Sequence, residues 1–155
     1  MINYWLLKSE PDTFSFEDLK KAKNQTTHWE GVRNYQARNF MKTMKKGDLV
    51  FFYHSMKKPI SIIGIAKVVK EFYPDQTQFD ETNKYYDPKS NLDNIRWFMI
   101  DIKYQTEFSA PITLDELKSV EGLEEMVLLQ KGSRLSVQPV RKEEWDIICS
   151  LRKTK

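Results

Sequence analysis

The sequence predicts an α+β fold in which short helices flank a curved mixed sheet or a small barrel. Segments with the apolar patterns of strands outnumber segments with helical spacing, and the two kinds do not alternate regularly. That order favours α+β over a doubly wound parallel sheet, in which strands and helices take turns. The chain has 155 residues, of which 40% are apolar. We therefore expect a single domain, residues 1–155, whose core needs no disulfide or metal.

In the first half of the chain, local patterns predict three strands and two helices. Pro11 must end the first strand because proline cannot donate to a sheet ladder. Ser15 and Asp18 have the residue types of a helix cap and first turn. The predicted elements are a buried strand at 4–7, a helix at 15–22, a polar loop at 23–28, a helix at 35–44 and strands at 49–54 and 60–72.

The second half begins with a long excursion whose aromatic residues argue for an ordered loop packed on the body. Thr113 and Glu116 have the spacing of a capping box, which predicts a helix. The predicted elements are the ordered loop at 75–94, a strand at 96–105, a helix from 113 to about 122, a basic loop at 131–136 and an amphipathic terminal helix with Trp145, Ile148 and Cys149 inside.

Composition excludes several classes of protein. The one cysteine, Cys149, cannot form an intramolecular disulfide, which fits a reducing cytosol. No apolar run approaches the ~20 residues of a membrane helix, and the N-terminus lacks a signal-peptide pattern. His28, His54 and Cys149 are too scattered for a zinc site, and the five glycines form no phosphate loop. We expect a cytoplasmic protein without metal, cofactor or membrane partner.

Residues 29–39 form the most informative stretch. They hold two aromatic rings, two arginines, two asparagines and a glutamine within eleven residues. Rings stack on bases, amide side chains can read the edge of a heterocycle, and arginine contacts phosphate in a fork. These are the parts of a nucleotide-binding surface. The alternative is a polar loop running into a surface helix, with Trp29 and Tyr35 as packing anchors.

The distribution of charge points in the same direction. The net charge is only +3, but residues 33–58 contain seven basic side chains and one acidic side chain. Residues 71–101 contain seven acidic and three basic side chains. Basic segments beside exposed rings indicate nucleic acid, and a solvated surface without a partner is the alternative. His54 is either a structural histidine or a general base.

Six separated blocks of the sequence resemble the signature blocks of the EVE domain family. They are residues 4–11, 29–39, 47–55, 85–89, 96–99 and 132–140. The resemblance implies a fold of the PUA superfamily, a pseudo-barrel flanked by helices, with kinship to YTH and ASCH domains. YTH domains hold a methylated base in an aromatic cage, and the EVE family is associated with modified bases in DNA. One departure is Arg141, which stands where a small capping hydroxyl or acid is expected.

Carried onto this chain residue by residue, the resemblance implies a pocket for a base and a polar rim. The candidates for stacking and edge reading are Trp29, Asn34, Tyr35, Phe52, Tyr53 and Trp97. The candidates for polar or phosphate contacts at the rim are Lys8, Ser9, Arg33, His54, Ser55, Arg134 and Ser136. Core packing remains equally open for Phe52 and Trp97. For Arg33 and Arg38, a structural bridge to Glu30 or Asp48 is the alternative to a phosphate contact.

The resulting hypothesis is a non-catalytic domain that holds a modified base, with a modified cytosine in DNA favoured, in an aromatic pocket. An RNA-binding module of the PUA-like type is the first alternative. An enzyme that acts on a nucleotide, with His54 as its base, and a small-molecule binder are the others. The sequence gives no sign of an obligatory protein partner.

Overall fold

The computed structural model describes residues 1–132 and 134–155. This part of the chain folds into strands and short helices as follows: β1 (Tyr4–Ser9), α1 (Phe16–Lys21), β2 (Thr26–His28), α2 (Tyr35–Thr43), β3 (Leu49–His54), β4 (Ser61–Pro74), β5 (Phe98–Thr113), α3 (Leu114–Lys118), β6 (Val137–Val140) and α4 (Lys142–Ser150). None of these helices has the length and apolar character needed to cross a membrane. Ser133, part of the last signature block, lies outside the described residues.

The six strands form one mixed sheet in the order β2-β5-β4-β3-β1-β6. β1 and β3 run parallel, and the other neighbouring strands pair antiparallel. The sheet is not closed, because β2 and β6 are its two edges. Irregularities in the register of β4 against β5 bend this long pair. The predicted α+β architecture with a curved mixed sheet is confirmed.

The helix predicted to end near residue 122 ends at Lys118, and two predictions about strands were wrong because they depend on strand pairing. The end of the predicted polar loop forms β2, in which Thr27 pairs with Ile102 of β5. β5 was expected to end at residue 105 but continues to Thr113, which pairs with Ser61 of β4. Pairing with a distant strand supplies hydrogen bonds that no local pattern reveals.

The sheet buries apolar side chains on both of its faces. Val50 and Phe52 of β3 belong to one cluster, which α1 and α2 cover and which we call the front core. Phe51 and Tyr53 belong to a second cluster, which α3 and α4 cover and which we call the back core. Alternation along β3 thus sends its rings to opposite faces. The two aromatic faces of β3 therefore belong to different cores.

The helix that follows β6 explains the departure at Arg141. The buried Glu144 carboxylate accepts a hydrogen bond from the Arg141 backbone N–H at 2.9 Å. It also accepts one from the Arg141 guanidinium at 3.1 Å. Glu144, in the first turn of α4, therefore holds residue 141 in place. The helix begins there without a small capping side chain.

Candidate functional site

A cavity of about 520 Å³ opens where β1 and β2 end. Its volume lies in the range of ~300–1,000 Å³ that is usual for ligand pockets. Strand ends and the loops that follow them supply the lining, which comprises Lys8, Ser9, Glu10, Thr13, Phe14, Thr27, His28, Trp29, Glu30, Gly31, Val32, Arg33, Lys84, Tyr85 and Ser136. The stretch 29–33 and the polar end of β1, both predicted as binding segments, therefore meet in one place.

Trp29 is the large aromatic side chain that follows β2 into this cavity. It is half-buried, and its backbone N–H donates to the carbonyl of Ile100 at 2.7 Å. The ring of Phe52 supports the indole from below, edge to face, with centroids 5.6 Å apart and planes at 85°. Strand and core together hold the indole in place, so a planar ligand would meet an oriented surface.

The loop that carries Trp29 is anchored by Asp75, whose side chain is fully buried. The carboxylate accepts hydrogen bonds from the Gly31 N–H at 2.8 Å and from Nη1 of Arg33 at 3.2 Å. Arg33 Nε also donates to the carbonyl of Tyr85 at 3.0 Å. The long excursion after β4 therefore fastens this loop from the far side of the cavity.

Gly31 allows the loop and the excursion to approach closely. Its φ is +82°, and a Cβ built at this position would lie 2.5 Å from the nearest ring atom of Tyr85. Any side chain would displace Tyr85 and strain the backbone. Gly31 therefore permits the contact between this loop and Tyr85 at the cavity wall.

The bridge formed by Arg33 differs from the one expected. Glu30 and Asp48 were the expected carboxylates, but Arg33 pairs with Asp75. Asp48 is buried and accepts from Nε1 of Trp5 at 3.0 Å. With its guanidinium used to hold the loop, Arg33 acts first as a structural residue at the cavity wall.

Donors and acceptors converge on the same cavity. The backbone N–H of Lys8 donates to the carbonyl of Ser136 at 2.9 Å, and burial lowers the pKa of the Lys8 ammonium group. The Ser9 hydroxyl donates to the carbonyl of Phe14 at 2.5 Å. Glu10 and Glu30 are exposed carboxylates at the opening. A cation and two anions therefore line the same cavity as the Trp29 indole, which suits a polar planar ligand.

A second polar cluster at the cavity edge was missed by sequence reasoning. His28 Nδ1 lies 2.9 Å from Oδ1 of Asp101, and the Tyr73 hydroxyl donates to the same oxygen at 2.5 Å. Burial, followed by this hydrogen bond, raises the pKa of Tyr73. Only the pairing of His28 with Asp101 across β2 and β5 brings these groups together. In the described part of the chain, no three His, Cys, Asp or Glu side chains are placed to hold a metal ion.

Five of the predicted site residues line the cavity: Lys8, Ser9, Trp29, Arg33 and Ser136. Four predicted rings do not, and three of these are buried. Phe52 and Tyr53 are 0% and 3% exposed, because alternation along β3 sends their rings into the cores on its two faces, and Trp97, which precedes β5, is 5% exposed. Phe52 supports Trp29 from beneath, and the other two rings have no access to the cavity.

The remaining candidates also lie outside the cavity lining. The Asn34 side chain caps α2 by accepting from the Ala37 N–H at 2.9 Å. Ser55 donates its backbone N–H to the carbonyl of Ser9 at 2.9 Å. Arg134 is exposed on the loop before β6. His54 accepts a hydrogen bond from the Phe16 N–H. Tyr35 stacks on Trp97, with ring centroids 4.8 Å apart.

Several lining residues were absent from the predicted set. The clearest case is Tyr85, which the fold places against Gly31. Its position in a signature block was visible in the sequence, but its contact with a loop 54 residues earlier was not. Phe14 and Lys84 were missed for the same reason, since loops far apart in the chain build this wall, whereas Glu30 was considered only as a partner of the arginines.

Comparison with known proteins agrees with the resemblance. A family model described as EVE domain matches residues 3–151. Thymocyte nuclear protein 1 of Mus musculus is 46% identical over 169 aligned positions, which cover 98% of this chain and 74% of the mouse protein. An uncharacterised protein of Schizosaccharomyces pombe is 36% identical over 97% of this chain and 68% of its own length.

Solved structures share the fold as well. A protein of Pseudomonas syringae, PSPTO5229, has a TM-score of 0.91 at 47% identity and covers 96% of this chain and 98% of its own. The human THYN1 protein, crystallised in complex with DNA that contains 5-methylcytosine, has a TM-score of 0.91 at 46% identity, with 96% of both chains covered. An ASCH protein of Zymomonas mobilis, at 14% identity and a TM-score of 0.56, shares the fold alone.

Proposed function

The chain belongs to the EVE domain family and has its PUA-like fold, and from this premise we propose that it is a non-catalytic domain that binds nucleic acid and holds a modified cytosine of DNA in the cavity beside Trp29. The main support for this proposal is the oriented indole of Trp29 in a cavity rich in hydrogen-bonding groups. The human THYN1 protein, seen with DNA that contains 5-methylcytosine, supports the choice of ligand.

The chemistry of the rim suits the edge of a cytosine. This base offers an amino group as a donor and a ring nitrogen and carbonyl as acceptors. The carboxylates of Glu10 and Glu30 can accept from the amino group, and the ammonium group of Lys8 can donate to the acceptors. Trp29 supplies the stacking surface.

The expected selectivity is modest. Taking a base out of a duplex costs a few kcal/mol, and stacking on an aromatic ring returns ~1–3 kcal/mol. A methyl group adds apolar contact worth about 0.8 kcal/mol. We therefore expect the domain to prefer 5-methylcytosine over cytosine by roughly four- to tenfold.

Binding to matched oligonucleotides tests the proposal. The set carries cytosine, 5-methylcytosine, 5-hydroxymethylcytosine, adenine or N6-methyladenine at one position, in DNA and in RNA, at fixed salt. Trp29→Ala should abolish the preference for the modified base, whereas Trp29→Phe should keep most of it because a ring remains. A wild-type protein that binds all members equally would contradict the proposal. Equal or tighter binding of the RNA set would favour the RNA-binding alternative.

The absence of turnover belongs to the same proposal and has its own test. The His28–Asp101 pair at the cavity edge is the arrangement that an enzyme would use to orient a base. Prolonged incubation with the modified oligonucleotide, followed by mass spectrometry of the nucleosides, should return the ligand unchanged. A product that disappears with His28→Asn but persists in His54→Gln would identify an enzyme instead.

A further inference from the structure

The basic segment 33–58 is less uniform in the fold than in the sequence. Three of its cations pair with carboxylates: Arg33 with Asp75, Lys45 with Glu71 and Lys57 with Asp12. Among the described residues, four others lie within ion-pair distance of no carboxylate: Arg38, Lys42, Lys46 and Lys58. Two of these, Arg38 and Lys42, lie on α2. The unneutralised positive charge is therefore concentrated partly on this helix.

An exposed aromatic ring lies on the same helix as these two cations, and Arg38 is in contact with it. Tyr35 is 46% exposed, although it is a large ring with one face stacked on Trp97. At positions i, i+3 and i+7, Tyr35, Arg38 and Lys42 share one face of α2. We call these three residues the α2 face. It is separate from the cavity lining.

The far side of the Tyr35 ring is open. The guanidinium carbons of Arg38 and Arg96 lie 4.6 and 5.6 Å from the Tyr35 centroid. Both also lie 5.8 Å from the centroid of Trp97. A group on the far face of Tyr35 would be much more distant from Trp97, so both guanidinium groups flank the stacked pair at its sides. The outer face of the tyrosine is left for another planar group.

The Arg38 guanidinium group retains donors for a ligand. Nη1 donates to the carbonyl of Arg96, and Nε and Nη2 donate to Oδ1 of Asn39. These bonds use three of the five N–H groups and hold the fork in place. Arg96 differs, because it pairs with Asp87 at 3.3 Å and contributes less net charge. Lys42 lies over the rings of Phe72 and Phe98, at 5.8 and 5.6 Å from their centroids.

We propose that the α2 face is a second nucleic-acid contact, at which Tyr35 stacks on an unpaired base while Arg38 and Lys42 bind the phosphates beside it. An open ring flanked by cations is the combination that binds single strands with little regard to sequence. This inference rests on the proposed function only in taking nucleic acid as the partner. It adds a contact that is independent of base modification.

Arg33 connects the α2 face to the cavity. It lines the cavity, and its guanidinium carbon lies 5.4 Å from the centroid of Trp97, the ring beneath Tyr35. A strand whose modified base enters the cavity would thus pass the α2 face with a neighbouring nucleotide. The cavity provides selectivity, and the α2 face provides affinity for the strand.

The test uses a labelled single strand of about 12 nucleotides, with and without one 5-methylcytosine, and measures binding between about 50 and 200 mM salt. Arg38→Gln/Lys42→Gln should weaken both strands equally and reduce the slope of log K against log salt by about 1.4, since each phosphate contributes ~0.7 on a single strand. Tyr35→Leu should weaken both by about fivefold or more, and Tyr35→Phe should bind like the wild type.

Lys118→Gln/Lys153→Gln is the matched control. Both lysines are exposed, Lys118 at the end of α3 and Lys153 after α4, and the two substitutions remove the same charge as the α2 double variant. Thermal unfolding of every variant shows whether the fold is retained. Equal salt slopes in the two double variants would overturn the α2 face, as would equal binding by Tyr35→Leu and Tyr35→Phe. If the wild type shows no preference for 5-methylcytosine while these differences persist, the cavity proposal fails and the α2 face stands.

Discussion

At the scale of single residues, His54 shows how one hydrogen bond decides the role of a side chain. Its Nε2 atom accepts from the backbone N–H of Phe16, the first residue of α1, at 3.0 Å. Burial lowers the pKa of His54 below the ordinary value of 6.5, and the nearby charge of Asp18 opposes that shift. Both the acceptor role and the burial favour the neutral ring. The geometry therefore supports the structural alternative over a general base.

The lowered pKa predicts that His54 makes the protein less stable as the pH falls below about 6.5. In that range the unfolded chain binds a proton at His54 more readily than the folded chain does. The free energy of unfolding then decreases by up to about 1.4 kcal/mol per pH unit until the pH passes the folded pKa, below which this residue causes no further loss. His54→Gln, which keeps an acceptor for the Phe16 N–H but cannot titrate, should flatten this part of the profile.

Urea unfolding between about pH 8 and pH 5 measures this effect. His28 remains in both proteins, so its titration cancels in the comparison. His54→Leu serves as a second variant, because it leaves the Phe16 N–H without its acceptor and should cost about 1–3 kcal/mol at every pH. Parallel profiles for the wild type and His54→Gln would show that the folded and unfolded chains bind a proton at His54 equally, so that folding does not lower the pKa of His54.

At the scale of elements, the sequence predicted those whose signals are local. The capping residue Ser15 marked the start of α1, and the β-forming run at 49–54 became β3. β2 was missed because its three residues, Thr26–His28, become a strand only by pairing with β5. The cluster of His28, Asp101 and Tyr73 was missed for the same reason. Tertiary pairing is the information that one sequence does not display.

Some residues of the candidate site were likewise visible in the sequence, and others were not. Lys8 and Ser9 were found because polar residues at the end of a predicted strand are visible in the sequence, and Trp29 was found because rings, amides and arginines cluster in residues 29–39. Phe52 and Trp97 could not be assigned, because a strand with rings on both faces does not reveal which face underlies a pocket. The fold buries both, and Phe52 acts on the cavity only through Trp29.

Asn34 offers a test that separates a structural role from recognition within α2. Its side chain satisfies the Ala37 N–H at the start of the helix. Asn34→Ala should cost about 1 kcal/mol, which lowers the melting temperature by about 2–4 °C in a chain of this size. Asn34→Ser should restore most of that loss, because serine is also a good capping residue.

Binding to the modified oligonucleotide completes the comparison at Asn34. If the amide acts only as a cap, both variants should keep the affinity of the wild type under conditions where they are folded. A serine variant that is fully stable but binds more weakly would instead assign edge reading to Asn34, as first predicted from its residue type.

At the scale of the whole molecule, the distribution of charge is resolved by contacts between distant segments. The acidic segment 71–101 folds back onto the basic segment 33–58, so that Asp75 neutralises Arg33 and Glu71 pairs with Lys45. The basic and acidic segments of the sequence therefore neutralise each other in part. The cations that remain unpaired on α2 mark where a phosphate chain can bind without displacing an internal partner.

The two faces of the sheet pack against different cores, and this separation gives the most demanding prediction. Phe51 and Phe52 are consecutive on β3, and each is fully buried, but they face opposite cores. Phe51 stacks on Trp145 at 3.8 Å in the back core, and Phe52 supports Trp29 in the front core. The same substitution at neighbouring positions can therefore separate stability from binding.

Phe51→Leu and Phe52→Leu should each lower the free energy of unfolding by about 1–2 kcal/mol, since a buried ring is replaced by a smaller side chain. Only Phe52→Leu should weaken the preference for the modified base, because it removes the ring that orients Trp29. The two readouts are chemical denaturation and oligonucleotide binding, measured where both variants remain folded. If Phe51→Leu reduced the preference as much as Phe52→Leu, the loss would follow from stability alone, and the cavity beside Trp29 would no longer be distinguished as the site of base recognition.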